Sequence, residues 1–400
     1  MKQNRYRKPL CGALLALLSS SAVPAHANLD NLLSVLEGNN TITAEQAQDL
    51  RDSQPGYTVR PAGRAVSDLA IRGRIQTQFA YTRADNDDGN DDFTTFEVRR
   101  VRLGLRGTLP GSVRAQLEAN LVPGSDLSMR SAFLQWREHA EANIKVGFDK
   151  PHSSLEENTS SGAILTVERT LLNSLVAAPG PMTGLALDGA VGVLAYGAGL
   201  YTDRNNRNSG GSDSKYLYNA FARLTLNDFV GEQNKLFIQG TYLNSDDEGG
   251  KFGSRFDDGF TVAGHFVSGP FDLRAEYMLG DNGGTKTSGF YVMPSYYLTD
   301  SLQAVARYER VESDNARGIR APSRYLRDVP SLAVQRDMDG ATTHDPQAGD
   351  EYQAFYVGLN YYIAGHGHKL MLGAELAELK NTDAGTLDGL TVTTAWRMLF

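Results

Sequence analysis

The last eleven residues of the chain alternate without a break. Leu390, Val392, Thr394, Trp396, Met398 and Phe400 fall on one face, and Thr391, Thr393, Ala395, Arg397 and Leu399 on the other. An extended strand points successive side chains to opposite faces, so this pattern gathers the apolar set on one surface. A soluble sandwich buries such a surface inside, whereas a closed sheet in a membrane turns it outward. One strand cannot choose between the two, but the rest of the chain can.

Lys2, Arg5, Arg7 and Lys8 precede a short apolar run from Leu10 to Leu18, and Ala25-His26-Ala27 supplies a small-x-small cleavage site. These are the marks of an export leader over residues 1–27, with the mature chain expected to begin at Asn28. The run is too short for a spanning helix, and no later stretch approaches the required length. The one cysteine, Cys11, lies in the leader, so the mature chain has no disulfide to stabilise it. Removing four cations and no carboxylate moves the net charge from -8 to -12. That balance sets nucleic acid aside as a partner, since its binders carry a basic excess.

Residues 28–64 are expected to form a helical N-terminal extension and linker. Leu29, Leu32, Leu33 and Leu36 recur at helical spacing, Gly38-Asn39-Asn40 breaks the run, and Thr43 with Gln46 makes a capping box. From Leu69 the period becomes two. Sixteen candidate strands lie near residues 69–84, 94–108, 112–122, 126–137, 143–149, 183–188, 190–202, 216–227, 235–244, 258–267, 270–280, 287–298, 301–311, 351–363, 368–379 and 388–400. Tight turns at Pro110-Gly111, Asp188-Gly189, Ser268-Gly269 and Thr299-Asp300 mostly alternate with longer polar loops at 85–93, 150–182, 203–215, 245–257, 281–286 and 312–350. Short turns at one end and long loops at the other describe an all-β, antiparallel transmembrane barrel of about 16 strands over residues 65–400, in the outer membrane of a bacterium. If the last strand ends in the periplasm, the long loops face outward, where lipid and lipopolysaccharide are the expected surroundings.

The inside of such a barrel is water-filled, and its inward side chains set what passes. Arg72 and Arg74 stand opposite Ile71, Ile75 and Phe79. Arg100, Arg102 and Arg106 stand opposite Val101, Leu103 and Leu105, and Lys145 opposite Ile144, Val146 and Phe148. A guanidinium turned to lipid near the midplane would cost roughly 2–4 kcal/mol, so these cations are expected in the lumen. Two readings of them stay open: a positive lining that lowers the barrier to anions, or a polar wall paired with acids such as Glu118, Glu276 and Glu375. Asp85, Asp87, Asp88, Asp91 and Asp92, and likewise Asp246, Asp247, Glu248, Asp257 and Asp258, are read as solvated outer loops. The first group lacks the terminal glutamate of a calcium loop.

Two segments carry a family resemblance. Phe96-Glu-Val-Arg-Arg-Val-Arg-Leu-Gly-Leu-Arg-Gly107 is similar to the RRxRLGxxG hairpin of the phosphate-selective porin O/P family. Gly147-Phe-Asp-Lys-Pro-His-Ser-Ser-Leu-Glu-Glu-Asn-Thr-Ser-Ser161 resembles its GxxKxPxSxExxTS loop, and Val167-Glu168-Arg169 the ER motif that follows. Thr41-Ile-Thr-Ala-Glu45 resembles an extension on some members. The chain departs from the pattern at Asp149, beside Lys150, and at His152, where an aromatic residue is common. The resemblance implies a sixteen-stranded homotrimeric porin whose third outer loop folds into the bore. It also implies a basic constriction that conducts small anions such as phosphate. On that resemblance Lys145, Lys150 and Arg169 would line the constriction, with Arg72, Arg74, Arg100, Arg102 and Arg106 as a ladder along the wall.

The rival readings are a non-selective or cation-tolerant general porin, an outer-membrane barrel enzyme, and a purely structural barrel. An enzyme needs a nucleophile and base within hydrogen-bond reach, and of the six mature histidines only His265 lies in a clear strand, with no serine motif beside it. His366-Gly-His368 has the composition of a metal chelate but reads as an incidental turn. No cofactor fingerprint is present, and the residues predict a passive diffusion channel.

Overall fold

The computed structural model describes residues 57–59, 68–86, 89–177, 180–202, 216–231, 234–245, 256–322, 324–336, 342–381 and 385–400. The leader and the expected helical extension lie outside the described residues, as do Asp87, Asp88, Asp246, Asp247 and Glu248. Sixteen strands wind up and down in sequence order. They are β1 (Asp68–Asn86), β2 (Gly89–Leu109), β3 (Val113–Asn120), β4 (Ser128–His139), β5 (Ala142–Asp149), β6 (Met182–Val191), β7 (Leu194–Thr202) and β8 (Tyr216–Thr225). Then come β9 (Asn234–Ser245), β10 (Asp258–Ser268), β11 (Phe271–Asn282), β12 (Thr285–Thr299), β13 (Leu302–Ser313), β14 (Glu351–Ala364), β15 (His368–Asn381) and β16 (Gly385–Leu399). Each pairs antiparallel with the next, and β1 pairs with β16 from Arg74↔Leu399 to Asp85↔Asp388, so the sheet closes and leaves no free edge.

The seam is finished by the terminal residue. Gly73 N–H donates to Phe400 O at 2.6 Å, and Phe400 N–H returns a bond to Gly73 O at 3.0 Å. The Phe400 ring lies over the Gly73 backbone, where any Cβ would collide with it. The predicted alternation of β16 holds. Trp396 is 52% exposed on the outer face while Arg397 is fully buried inside. Leu134, Phe355 and Leu372 are likewise exposed outward, an apolar belt that water would not tolerate and lipid requires. No helix among the described residues is long and apolar enough to cross a membrane.

Three loop assignments need correction. Residues 85–93 are not a separate long loop: β1 and β2 continue as one tall hairpin to Asn86↔Gly89, which places Asp85, Asp91 and Asp92 on strands. The turn expected at Asp188-Gly189 falls at Gly192-Val193, because β6 runs on to Val191 and pairs it with Leu194. Residues 281–286 are not a longer loop either: β11 and β12 meet in a tight turn at Gly283-Gly284, with Asn282 paired to Thr285.

The packed core sits inside the bore rather than within the sheet. The third outer connection, residues 150–181 (loop 3), and the seventh, 314–350 (loop 7), contribute Leu165, Leu172, Val176, Ile319, Leu326 and Leu332. These pack on inward residues of the wall such as Met278, Tyr291, Val311, Tyr352 and Tyr356.

Candidate functional site: the constriction

Loop 3 folds into the lumen because the wall offers partners for its backbone. It carries two short helices, α1 (Leu155–Asn158) and α2 (Leu171–Val176), capped by Ser154 and Thr170, whose hydroxyls accept from Glu157 N and Asn173 N. Each helix start also meets a buried wall carboxylate. Glu276 on β11 accepts from Leu155 N at 2.8 Å and Glu156 N at 3.2 Å, and Glu309 on β13 accepts from Leu172 N at 2.6 Å. Amide groups orphaned at a helix start are thereby satisfied by side-chain oxygens of the wall.

Wall cations hold the loop's carbonyls. Arg307 donates to Glu168 O at 3.0 Å and Thr166 Oγ1 at 3.2 Å, and also pairs with Glu375 at 2.6 Å. Lys369 donates to Ile164 O at 2.8 Å, and Asn360 to Leu165 O at 2.9 Å. Arg397 donates to Ser161 O at 3.0 Å and to Val167 O. All these side chains come from β11 and β13 to β16, so that flank of the bore is filled.

The opposite flank, β1 to β4, stays open. A space of about 550 Å3 separates it from loop 3. Its lining holds seven cationic side chains, Arg74, Arg99, Arg100, Arg102, Arg130, Lys150 and Arg169, against three carboxylates, Glu118, Asp149 and Glu157. Of the eight cations expected from the sequence, five meet here: Arg74, Arg100, Arg102, Lys150 and Arg169. Arg72, Arg106 and Lys145 do not line it. Arg106 donates to Gln116 Oε1 at 3.3 Å, Lys145 pairs with Asp149 at 2.6 Å, and Arg72 lies opposite Gly104 nearer the β1–β16 seam's lower end.

Arg99 and Arg130 were missed, and for one reason. Gln76 pairs with Arg100 while Thr77 pairs with Val98, so Arg99 is an extra residue in β2. Glu118 pairs with Ser131 while Ala119 pairs with Met129, so Arg130 is an extra residue in β4. A β-bulge breaks the period of two and re-aims a side chain that strict alternation would send to lipid. The Arg99-Arg100 doublet was the available signal, since placing either one in lipid is costly.

These charges are only partly offset. Arg102 Nε donates to Asn120 Oδ1 at 2.8 Å, and its ion pair with Glu118 is longer, at 3.4 Å. Arg74 donates to Ser161 Oγ at 2.6 Å and stands 3.9 Å from the same Glu118. Arg100 donates to the neutral Gln76 Oε1 at 2.9 Å. Arg169 donates to Thr159 O at 2.7 Å and Glu156 O at 3.1 Å. Arg99 and Lys150 are paired more closely: Arg99 forks onto Glu168 at 2.7 and 3.1 Å, and Lys150 meets Glu157 at 2.8 Å. Burial works against the charge on Glu168, but the Arg99 guanidinium and its hydrogen bonds overcome it and hold the carboxyl well below the usual range. Glu157 is likewise held below its ordinary value: burial opposes its charge, and Lys150, at 2.8 Å, and Arg169 prevail. His152 stacks on Phe221, and burial together with the Lys145 and Arg223 charges lowers it to about 4, so it is neutral at physiological pH.

Loop 7 closes over the outer side of loop 3. Arg324 pairs with Glu97 at 2.6 Å, Tyr325 OH donates to Glu97 Oε1 at 2.7 Å, and Gln78 links Tyr325 to Glu168. The two rings of His366-Gly-His368 diverge. His366 packs edge-on against the buried Tyr362, and His368 stacks on the exposed Trp396. Among the described residues no cluster of three or more ligating side chains is placed to hold a metal.

A closed sixteen-stranded barrel narrowed by its own third outer loop is the architecture of an outer-membrane porin. The family model of phosphate-selective porin O and P matches residues 69–398, and the chain belongs to that family. No curated protein matches it. Among solved structures it is similar to the anion-selective porin from Comamonas acidovorans, with a TM-score of 0.56 and 13% identity over 83% of this chain and 99% of that one. It is also similar to the outer-membrane channel DcaP of Acinetobacter baumannii, with a TM-score of 0.52 and 15% identity over 83% and 97%. The trimer form of OmpT from Vibrio cholerae gives a TM-score of 0.53 at 12% identity over 82% and 98%. At these identities the likeness is one of fold.

Proposed function

We propose that the porin is a passive, anion-preferring diffusion channel whose selectivity is set where loop 3 faces the β1–β4 wall. One observation carries the reading: seven cationic side chains against three carboxylates around the open space. A lining of one sign in a narrow, low-dielectric passage raises the local concentration of the opposite ion and lowers its barrier. Arg74, Arg100, Arg102, Lys150 and Arg169 act in the path. Arg72, Arg106 and Lys145 contribute longer-range field.

Phosphate is the natural first solute to test, given the family, and the anion-selective Comamonas porin supports the sign of the preference. We infer a homotrimer, the form in which the OmpT neighbour is described, with the apolar belt in contact with lipid and lipopolysaccharide. The channel's work is passage rather than catalysis. In planar bilayers under a potassium chloride gradient, the reversal potential should report anion preference. Replacing Arg100, Arg102 and Lys150 together with glutamine should shift it toward cations. A cation-preferring parent, or an unmoved variant, overturns the reading.

A further inference from the structure

We propose that the cleft between loop 3 and loop 7 is a binding site for organic anions with a compact apolar body, and that the channel prefers such solutes to inorganic anions of equal charge. The proposal rests on the anion-channel reading above and names its solute class.

Two spaces share Arg99, Arg100, Arg169 and Glu157 but differ in their other walls. The deeper one has Val122 as the lone aliphatic residue in its lining, and everything else there is polar or charged. The outer cleft, about 300 Å3, faces the same guanidiniums with Glu168 and Glu375 beside them. Its apolar wall is the half-buried Pro322 of loop 7 with the edges of the mostly buried Leu171, Leu175 and Leu326. A strongly hydrated inorganic ion gains nothing from that second wall and loses water against it. An ester or carboxylate carrying a ring or short hydrocarbon sets its charge on the arginines and removes apolar surface from water.

Loop 7 is held in place for this task. Leu326 N donates to Arg324 O at 2.9 Å across Tyr325, which sits at φ 69° and ψ -61°. This is the rare, strained form of the γ-turn. Such strain persists where surrounding contacts over-determine it, and it concentrates at ligand clamps. Here the contacts are Arg324 and Tyr325 OH on Glu97, with the Tyr325 side chain also on Gln78. They fix Pro322 and Leu326 over the arginines.

The test is block of the chloride current at pH 8 by three dianions with one headgroup: inorganic phosphate, methyl phosphate and phenyl phosphate. Phenyl phosphate should halve the current at about tenfold lower concentration than the other two, the gain expected from burying part of one ring. Leu171→Thr or, independently, Pro322→Ser should erase that advantage while leaving the chloride reversal potential unchanged. Pro322 is partly exposed, so its variant reads the cleft even where the Leu171 variant does not assemble. Equal half-blocking concentrations for all three dianions in the parent channel, or a phenyl advantage that survives Pro322→Ser, overturn the proposal. A reversal potential without anion preference in the same membranes would instead refute the reading beneath it.

Discussion

The two flanks of the bore carry the same kind of residue to different ends. On β13 to β16, Arg307, Lys369 and Arg397 are inward cations that are fully or almost fully buried, and their donors end on loop carbonyls or on Glu375. On β1 to β4, Arg74, Arg99, Arg100 and Arg102 are inward cations too. Although Arg74 and Arg99 also touch loop 3 at Ser161 and Glu168, all four border open space, and Arg74 and Arg102 share the single Glu118. The path of loop 3 makes the difference. It leans on one flank, turns that flank's charges into anchors, and leaves the other flank's charges to act on whatever enters. Sign and parity on a strand therefore say that a cation is lumenal, not whether it binds the protein or the solute.

The comparison breaks most visibly at an anchor. Arg307→Ala strands Glu375 beside a buried cluster and releases Thr166 and Glu168. Removing one partner of a buried ion pair costs about 3–5 kcal/mol, so the folded barrel should lose resistance to urea in detergent while its residual channels become wider. A variant with parental stability and unit conductance would show that loop 3 is held elsewhere. Glu309→Gln should cost less, about 0.5–1.5 kcal/mol, because it perturbs one hydrogen bond to α2. Denaturant midpoints of the two variants rank these anchors directly.

On the open flank the expected change is in selectivity, not stability. Glu168→Gln frees Arg99 from its fork and should raise anion preference, whereas Arg99→Gln should lower it. Equal reversal potentials for the two variants would mean that Arg99 lies outside the field the solute feels. At the seam, Gly73→Val sets a side chain against the Phe400 ring and should cost about 1–3 kcal/mol of overpacking without moving selectivity. Smallest of all is Arg310→Ala on the outer rim. Its pairs with Glu312 and Glu351 are exposed and screened by solvent, so the denaturant midpoint should barely move.

The barrel was legible because closure demands a period of two on every strand, and Trp396 beside Arg397 displays both faces in adjacent residues. The assignments that failed were those where the period breaks or is not the controlling fact. Arg99 and Arg130 sit at bulges, which a strict alternation sends to the wrong side. Asp85, Asp91 and Asp92 look like a solvated loop by composition, but they belong to a hairpin taller than the rest of the wall. The split between anchoring and solute-facing cations was not legible at all. It depends on which flank loop 3 chooses, and that choice is made by Glu276, Glu309, Asn360 and Arg397, residues distant from the loop in sequence.

The most direct test sets one flank against the other in a single bilayer experiment. Reversal potentials under the same salt gradient are measured for the parent, for Arg99→Gln with Arg100→Gln and Arg102→Gln, and for Lys369→Gln. The account predicts an anion-preferring parent, a clear move toward cations for the open-flank variant, and almost none for the anchor. Equal moves in both variants, or a larger one for Lys369→Gln, would contradict it.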